Sequence, residues 1–217
     1  MAVADYVASA SLLSDGSGSF TEPPYGDAFS TTTNQFTHSA GMIQRTGAGW
    51  GSFSWGTTFT ADQIAGFKLG AAGECELEIR GKDVGGANWD AYSLYWNGTT
   101  GWEIYRTING TPSAALATAT QAWSVGETLW IITIGSGASV EIAAAIENGG
   151  GVGADFITYT DTDAARITTS GVPGAWANGT SFKIDEFYGG DAEAAGGGDP
   201  GVVASGPFTK MLMGVGL

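Results

Sequence analysis

Three carboxylates recur at every second position of one short segment, Glu74-Cys75-Glu76-Leu77-Glu78. In an extended strand, side chains at i, i+2 and i+4 share a face. Glu74, Glu76 and Glu78 would then line one side, while Cys75, Leu77 and Ile79 line the other. Retaining glycoside hydrolases need two carboxyl groups about 5–5.5 Å apart, one as nucleophile and one as acid/base, so Glu74 and Glu78 are the pair such an enzyme would use. The competing reading is a solvent-facing strand whose like charges are balanced by Arg80 and Lys82. That reading is adopted: no catalytic residue is assigned and the protein is expected not to be an enzyme.

Eight tryptophans offer a second chemistry, because indole faces stack on pyranose rings. Trp89, Trp96 and Trp102 sit in or beside one hairpin and form the candidate glycan-binding platform. Tyr92, Leu94 and Trp96 also alternate onto one face, which is the pattern of a core strand. Trp130 lies inside an apolar run and is expected in the core. Trp50, Trp55 and Trp176 lie among glycines, either exposed or plugging the ends of the fold. With one histidine and one cysteine in the chain, zinc sites and most catalytic triads are excluded.

These residues must be positioned by β-structure. The chain has 217 residues, 36 of them glycine, and only 14% are charged. Each glycine inside a helix costs roughly 1 kcal/mol relative to alanine, whereas sheets joined by tight turns accommodate such a composition. Strands are expected over 63–69, 74–80, 92–96, 102–106, 128–134, 139–146, 156–160, 165–169 and 181–188, giving a sandwich or barrel of roughly a dozen strands. Asn97, Asn109 and Asn178 each begin Asn-Gly-Thr. This is read as turn chemistry rather than glycosylation, since Asn-Gly tolerates the positive φ that hairpins need.

The net charge of −14 repels phosphate backbones, so no nucleic-acid partner is expected. No apolar stretch approaches the ~18 residues of a membrane span, so no membrane insertion is expected. The N-terminus lacks the basic and apolar regions of a signal peptide, which points to synthesis in a cytoplasm. Residues 192–200 read as a Gly-rich linker, and 201–217 as an apolar tail in which Phe208, Met211, Leu212 and Met213 would dock on a partner.

From Phe59 to Asp191 the chain resembles a family of concanavalin A-like (laminin-G-like) jelly rolls found in structural and accessory proteins of tailed bacteriophages. The matching pieces are FTADQIAGFKL at Phe59–Leu69, CELEIRG at Cys75–Gly81, YSLYWNGTTGWEIYR at Tyr92–Arg106, AWSVGETLWI at Ala122–Ile131 and NGTSFKIDEFYGGD at Asn178–Asp191. The resemblance implies an all-β jelly-roll β-sandwich over 1–191, followed by the linker and tail. It also implies a non-enzymatic, decoration-type or tail-associated virion protein, made in the host cytoplasm and anchored to other virion subunits by its tail. Homo-oligomerisation and a surface glycan are further partners of that reading, and a glycan-binding adhesion module is its alternative. Jelly-roll glucanases carry a similar acidic strand, usually with Asp where Glu76 stands. Many jelly rolls of this kind hold a structural Ca2+, for which Asp185, then Asp161 and Asp163, are the candidate ligands.

Overall fold

The computed structural model describes residues 1–14, 36–39, 41–45, 47–83 and 88–194. The expected tail and its docking residues Phe208, Met211, Leu212 and Met213 lie outside them, as does most of the linker. Sixteen strands form among the described residues. They are β1 (Ser11–Ser14), β2 (Phe36–Ser39), β3 (Met42–Arg45), β4 (Trp50–Ser54), β5 (Gln63–Ala71), β6 (Cys75–Lys82), β7 (Asp90–Trp96) and β8 (Gly101–Ile108). The series continues with β9 (Thr111–Pro112), β10 (Ala117–Thr120), β11 (Thr128–Ile134), β12 (Val140–Asn148), β13 (Gly151–Val152), β14 (Ile157–Asp161), β15 (Val172–Asn178) and β16 (Lys183–Asp191).

The strands make two antiparallel sheets. One runs β13-β12-β11-β5-β16-β3-β2, with β14 on β12 and β1 on β16. The other runs β10-β8-β7-β6-β15-β4, with β9 on β8. The alternation of β6 is realised: Cys75, Leu77 and Ile79 enter a core shared with Leu94 and Ile104 of the same sheet and with Phe67, Leu129 and Ile131 of the other. This is the expected all-β sandwich.

The run Thr128–Ile134 is apolar throughout because both faces of β11 are covered. Leu129 and Ile131 face the inter-sheet core. Trp130 and Ile132 face outward into a second cluster closed by Val3 from an N-terminal 3-10 turn. Gly66 on β5 makes room there, since a Cβ at that position would lie 2.4 Å from Cε3 of Trp130. The Asn-Gly turns form as expected, with Gly98, Gly110 and Gly179 at positive φ and the Asn97 carboxamide oxygen accepting from the Thr99 and Gly101 N–H groups.

Three expectations are corrected. Residues 165–169 form no strand, because their backbone bonds elsewhere: the Ile167 N–H donates to the Tyr92 hydroxyl and its carbonyl accepts from Arg80. The strands β4 and β15 were not anticipated, since Gly and Pro interrupt their apolar pattern. Arg80 does not share the face of the glutamates. The β6 register shifts between Ile79 and Lys82, Arg80 takes φ 55°, and its guanidinium is fully buried. There it donates to Thr133 Oγ1 (3.0 Å) and to the Ile167 and Gly135 carbonyls (both 2.6 Å). The acidic strand face is therefore not balanced by Arg80.

Candidate functional site

Register places the outer face of the second sheet residue by residue. At the centre, Glu76 on β6 lies opposite Trp176 of β15 on one side and Tyr95 of β7 on the other. Tyr95 in turn faces Glu103 of β8. One row along, Glu78 lies between Gly174 and Ser93, and Ser93 faces Tyr105. Trp50, at the start of β4, pairs with Asn178. Trp89 joins the same face from the segment just before β7. Trp50, Glu76, Trp89, Tyr95, Glu103, Tyr105 and Trp176 line an open trough of about 710 Å³. Its walls are aromatic: Trp50 lies 6.2 Å from Tyr95, Tyr95 lies 6.3 Å from Tyr105, and Trp89 lies 4.9 Å from Trp176, measured between ring centroids.

The carboxyl groups differ sharply in setting. The Glu74 carboxylate accepts the Tyr95 hydroxyl and the Asn178 amide (2.6 Å), and Glu103 accepts the Tyr105 hydroxyl. Glu76 is half-buried at the trough floor. Burial, reinforced by the Glu74 charge and partly offset by the Ser93 hydroxyl, pushes its carboxyl up to about 7. Glu78 is fully buried, and neither of its oxygens has a hydrogen-bond partner. The indole N–H groups of Trp89 and Trp176 are turned toward it and favour its charged form, but neither reaches hydrogen-bond geometry. Burial and the neighbouring Glu76 charge prevail, holding the Glu78 carboxyl well above the usual range. Gly174 makes room for this group, because a Cβ there would lie 3.1 Å from Glu78 Oε2 and 2.9 Å from the Phe53 carbonyl.

Of the expected platform, only Trp89 lines the trough. Trp96 and Trp102 are buried in the core, stacked at 5.7 Å and 19°. Their strand parity matches Leu94 and Ile104, which face inward, so the three tryptophans do not share one surface. Trp50 and Trp176, expected to be either exposed or plugging the ends of the fold, line the trough, while Tyr95, Tyr105 and Glu103 were missed. The signal for the last three was parity: Tyr95 alternates with Leu94, and Glu103 and Tyr105 alternate with Trp102 and Ile104. Cys75 faces the core, where burial raises its thiol well above its ordinary value. The hydrolase pair Glu74 and Glu78 is also corrected, since Glu74 is tied to Tyr95 and Asn178 while Glu78 lies buried behind the trough wall.

The calcium candidates do not fit a metal. Asp185 pairs with Lys68 at 2.9 Å. Asp161 accepts from Arg106 at 2.7 and 2.9 Å and from the Tyr92 hydroxyl at 2.7 Å. Asp163 lies 3.5 Å from Arg106. Each of the three is thus paired with a protein cation, and among the described residues no three metal-ligating side chains converge. No described helix is long and apolar enough to cross a membrane.

No family model matches the sequence and no curated protein matches it. Solved structures do match in fold. The exoplasmic/lumenal domain of VIP36 in its Ca2+-bound form is 12% identical, with a TM-score of 0.57 over 86% of this chain and 91% of that one. Its Ca2+/Man2-bound form is 12% identical, with a TM-score of 0.56 over 86% and 88%. Lectin I from Ulex europaeus, in complex with the methyl glycoside of α-L-fucose, is 8% identical, with a TM-score of 0.52 over 83% and 97%. The chain thus has the lectin-like jelly-roll sandwich that its sequence led us to expect.

Proposed function

We propose that the protein is a carbohydrate-binding module whose outer-sheet trough holds a sugar chain. The observation that carries this reading is the trough itself, about 710 Å³ and walled by Trp50, Trp89, Trp176, Tyr95 and Tyr105. Aromatic faces give apolar contact to the C–H faces of pyranose rings, and carboxylates between them accept hydroxyl hydrogen bonds. The likeness in fold to a fucoside-bound lectin and a Man2-bound lumenal domain is consistent with it. Display of such a module on a tailed-phage particle rests on the sequence resemblance alone, because the tail expected to dock it lies outside the described residues.

Calorimetric titration with a panel of neutral, acidic and amino oligosaccharides tests the reading. Saturable binding that Trp50→Ala weakens by roughly 30-fold, the ~2 kcal/mol of an aromatic hot spot, supports it. Absence of binding across the panel overturns it. A second reading, glycoside hydrolysis, is favoured by Glu76, whose carboxyl stands near neutrality at the trough floor as a general acid requires. Reducing-end release from a bound oligosaccharide, lost in Glu76→Gln, would put hydrolysis in place of binding alone.

A further inference from the structure

Resting on the saccharide-binding reading, we propose that the trough selects sugar chains bearing free ammonium groups, 2-amino-2-deoxy saccharides, over neutral and anionic ones. The lining carries two carboxyl groups, Glu76 and Glu103. Among the described residues no lysine, arginine or histidine lines it. The two glutamates stand on strands separated by β7, so their backbones are about 10 Å apart, the reach of a disaccharide. Between them lies Tyr95, with Tyr105 and Trp50 beside it, and aromatic faces attract cations. An ammonium group donates three hydrogen bonds, gains charge assistance from the carboxylate it meets and favours the ionised form of Glu76, which neither a hydroxyl nor an acetamide can match.

A second observation sits behind the wall. Both Glu78 oxygens and the indole N–H groups of Trp89 and Trp176 are buried without hydrogen-bond partners. Glu78 projects from the same sheet face as Glu76. Buried polar groups left unpartnered are costly, and native structures hold few of them. Here they cluster against a trough whose own wall carries uncompensated negative charge. A cation arriving at Glu76 and Glu103 offsets the negative charge of the trough lining itself, whereas a uronate or sulfate adds repulsion. The net charge of −14 works in the same direction by drawing cationic chains toward the surface.

The test titrates the full chain, at fixed ionic strength, with fully deacetylated chitosan oligosaccharide, its N-acetylated counterpart and oligogalacturonate. The expected order is deacetylated tighter than N-acetylated by about tenfold or more, with oligogalacturonate weakest. Glu103→Gln should reduce that preference several-fold. Trp50→Ala should weaken the deacetylated chain as strongly as any other ligand. Equal or tighter binding of the N-acetylated chain overturns the charge selection while leaving the saccharide-binding reading intact. Tight chitosan binding that survives Trp50→Ala is attraction to the acidic surface at large and also overturns the selection. Binding of none of these, nor of neutral glucans, sinks both.

Discussion

Trp89 and Trp176 approach from opposite sides of β6 until their rings lie 4.9 Å apart at 31°, and the fully buried Glu78 carboxyl lies against their indole nitrogens. The pair is one wall of the trough and also the cover that dries the acid behind it. Neither indole N–H is bonded to Glu78, so burial prevails and holds its carboxyl well above the usual range.

That upward shift makes stability pH-dependent. A folded carboxyl raised above its ordinary value of 4.5 contributes stability that is fully present below that value and is lost as pH rises through the raised one. Glu76, raised to about 7, adds to the same loss between about 4.5 and about 7. Glu78→Gln keeps a neutral group of the same shape. Its melting temperature should gain on the native protein as pH rises above about 4.5. A pH-independent difference would show that Glu78 is charged in the folded state.

Tryptophans on the two faces of the sheet should separate cleanly in mutagenesis. Trp96→Ala or Trp102→Ala opens the core beside Trp123 and should cost about 3–5 kcal/mol in urea unfolding. Trp50→Ala removes a ring that is 38% exposed and should leave the unfolding midpoint close to native. Equal destabilisation by all three would contradict the assignment of faces.

Arg80 holds one end of the sandwich together. Arg80→Met retains bulk but leaves the Ile167 and Gly135 carbonyls without their donor. An expected loss of ~3 kcal/mol by chemical denaturation follows from the unpartnered buried acceptors. A neutral result would mean that water replaces the guanidinium.

Gly66→Ala should destabilise by about 1–3 kcal/mol, because the new methyl group collides with Trp130. Trp130→Leu in the same background should recover part of that loss. Failure of this rescue would place the strain elsewhere.

Hydrogen bonds tie residues just past 191 to the sandwich, since the Ala192 N–H bonds to the Asp62 carbonyl and the Glu193 N–H to the Ser9 hydroxyl. A chain ending at Ala194 should therefore keep its melting temperature and its glycan affinity. If the tail is also a particle anchor, the same truncation abolishes co-sedimentation with particles. Equal co-sedimentation of both forms would move that interface onto the sandwich.

The sequence by itself determined the class of fold and the sidedness of its clearest strand. Period-two alternation at Cys75, Leu77 and Ile79 has one solution in a half-buried strand, and Asn-Gly pairs have few turn geometries to choose from. It also placed the three glutamates on one face. What that face meets depends on which strands lie beside β6, a question of long-range pairing on which local pattern is silent. Tertiary structure set β15 and β7 there, bringing Trp176 and Tyr95 to Glu76, burying Glu78 and closing the trough with Trp50 and Trp89. The inward side of Trp96 and Trp102 was already legible in their parity with Leu94 and Ile104. Arg80 left the acidic face through a bulge at a single positive φ, a break in alternation that sequence periodicity does not encode.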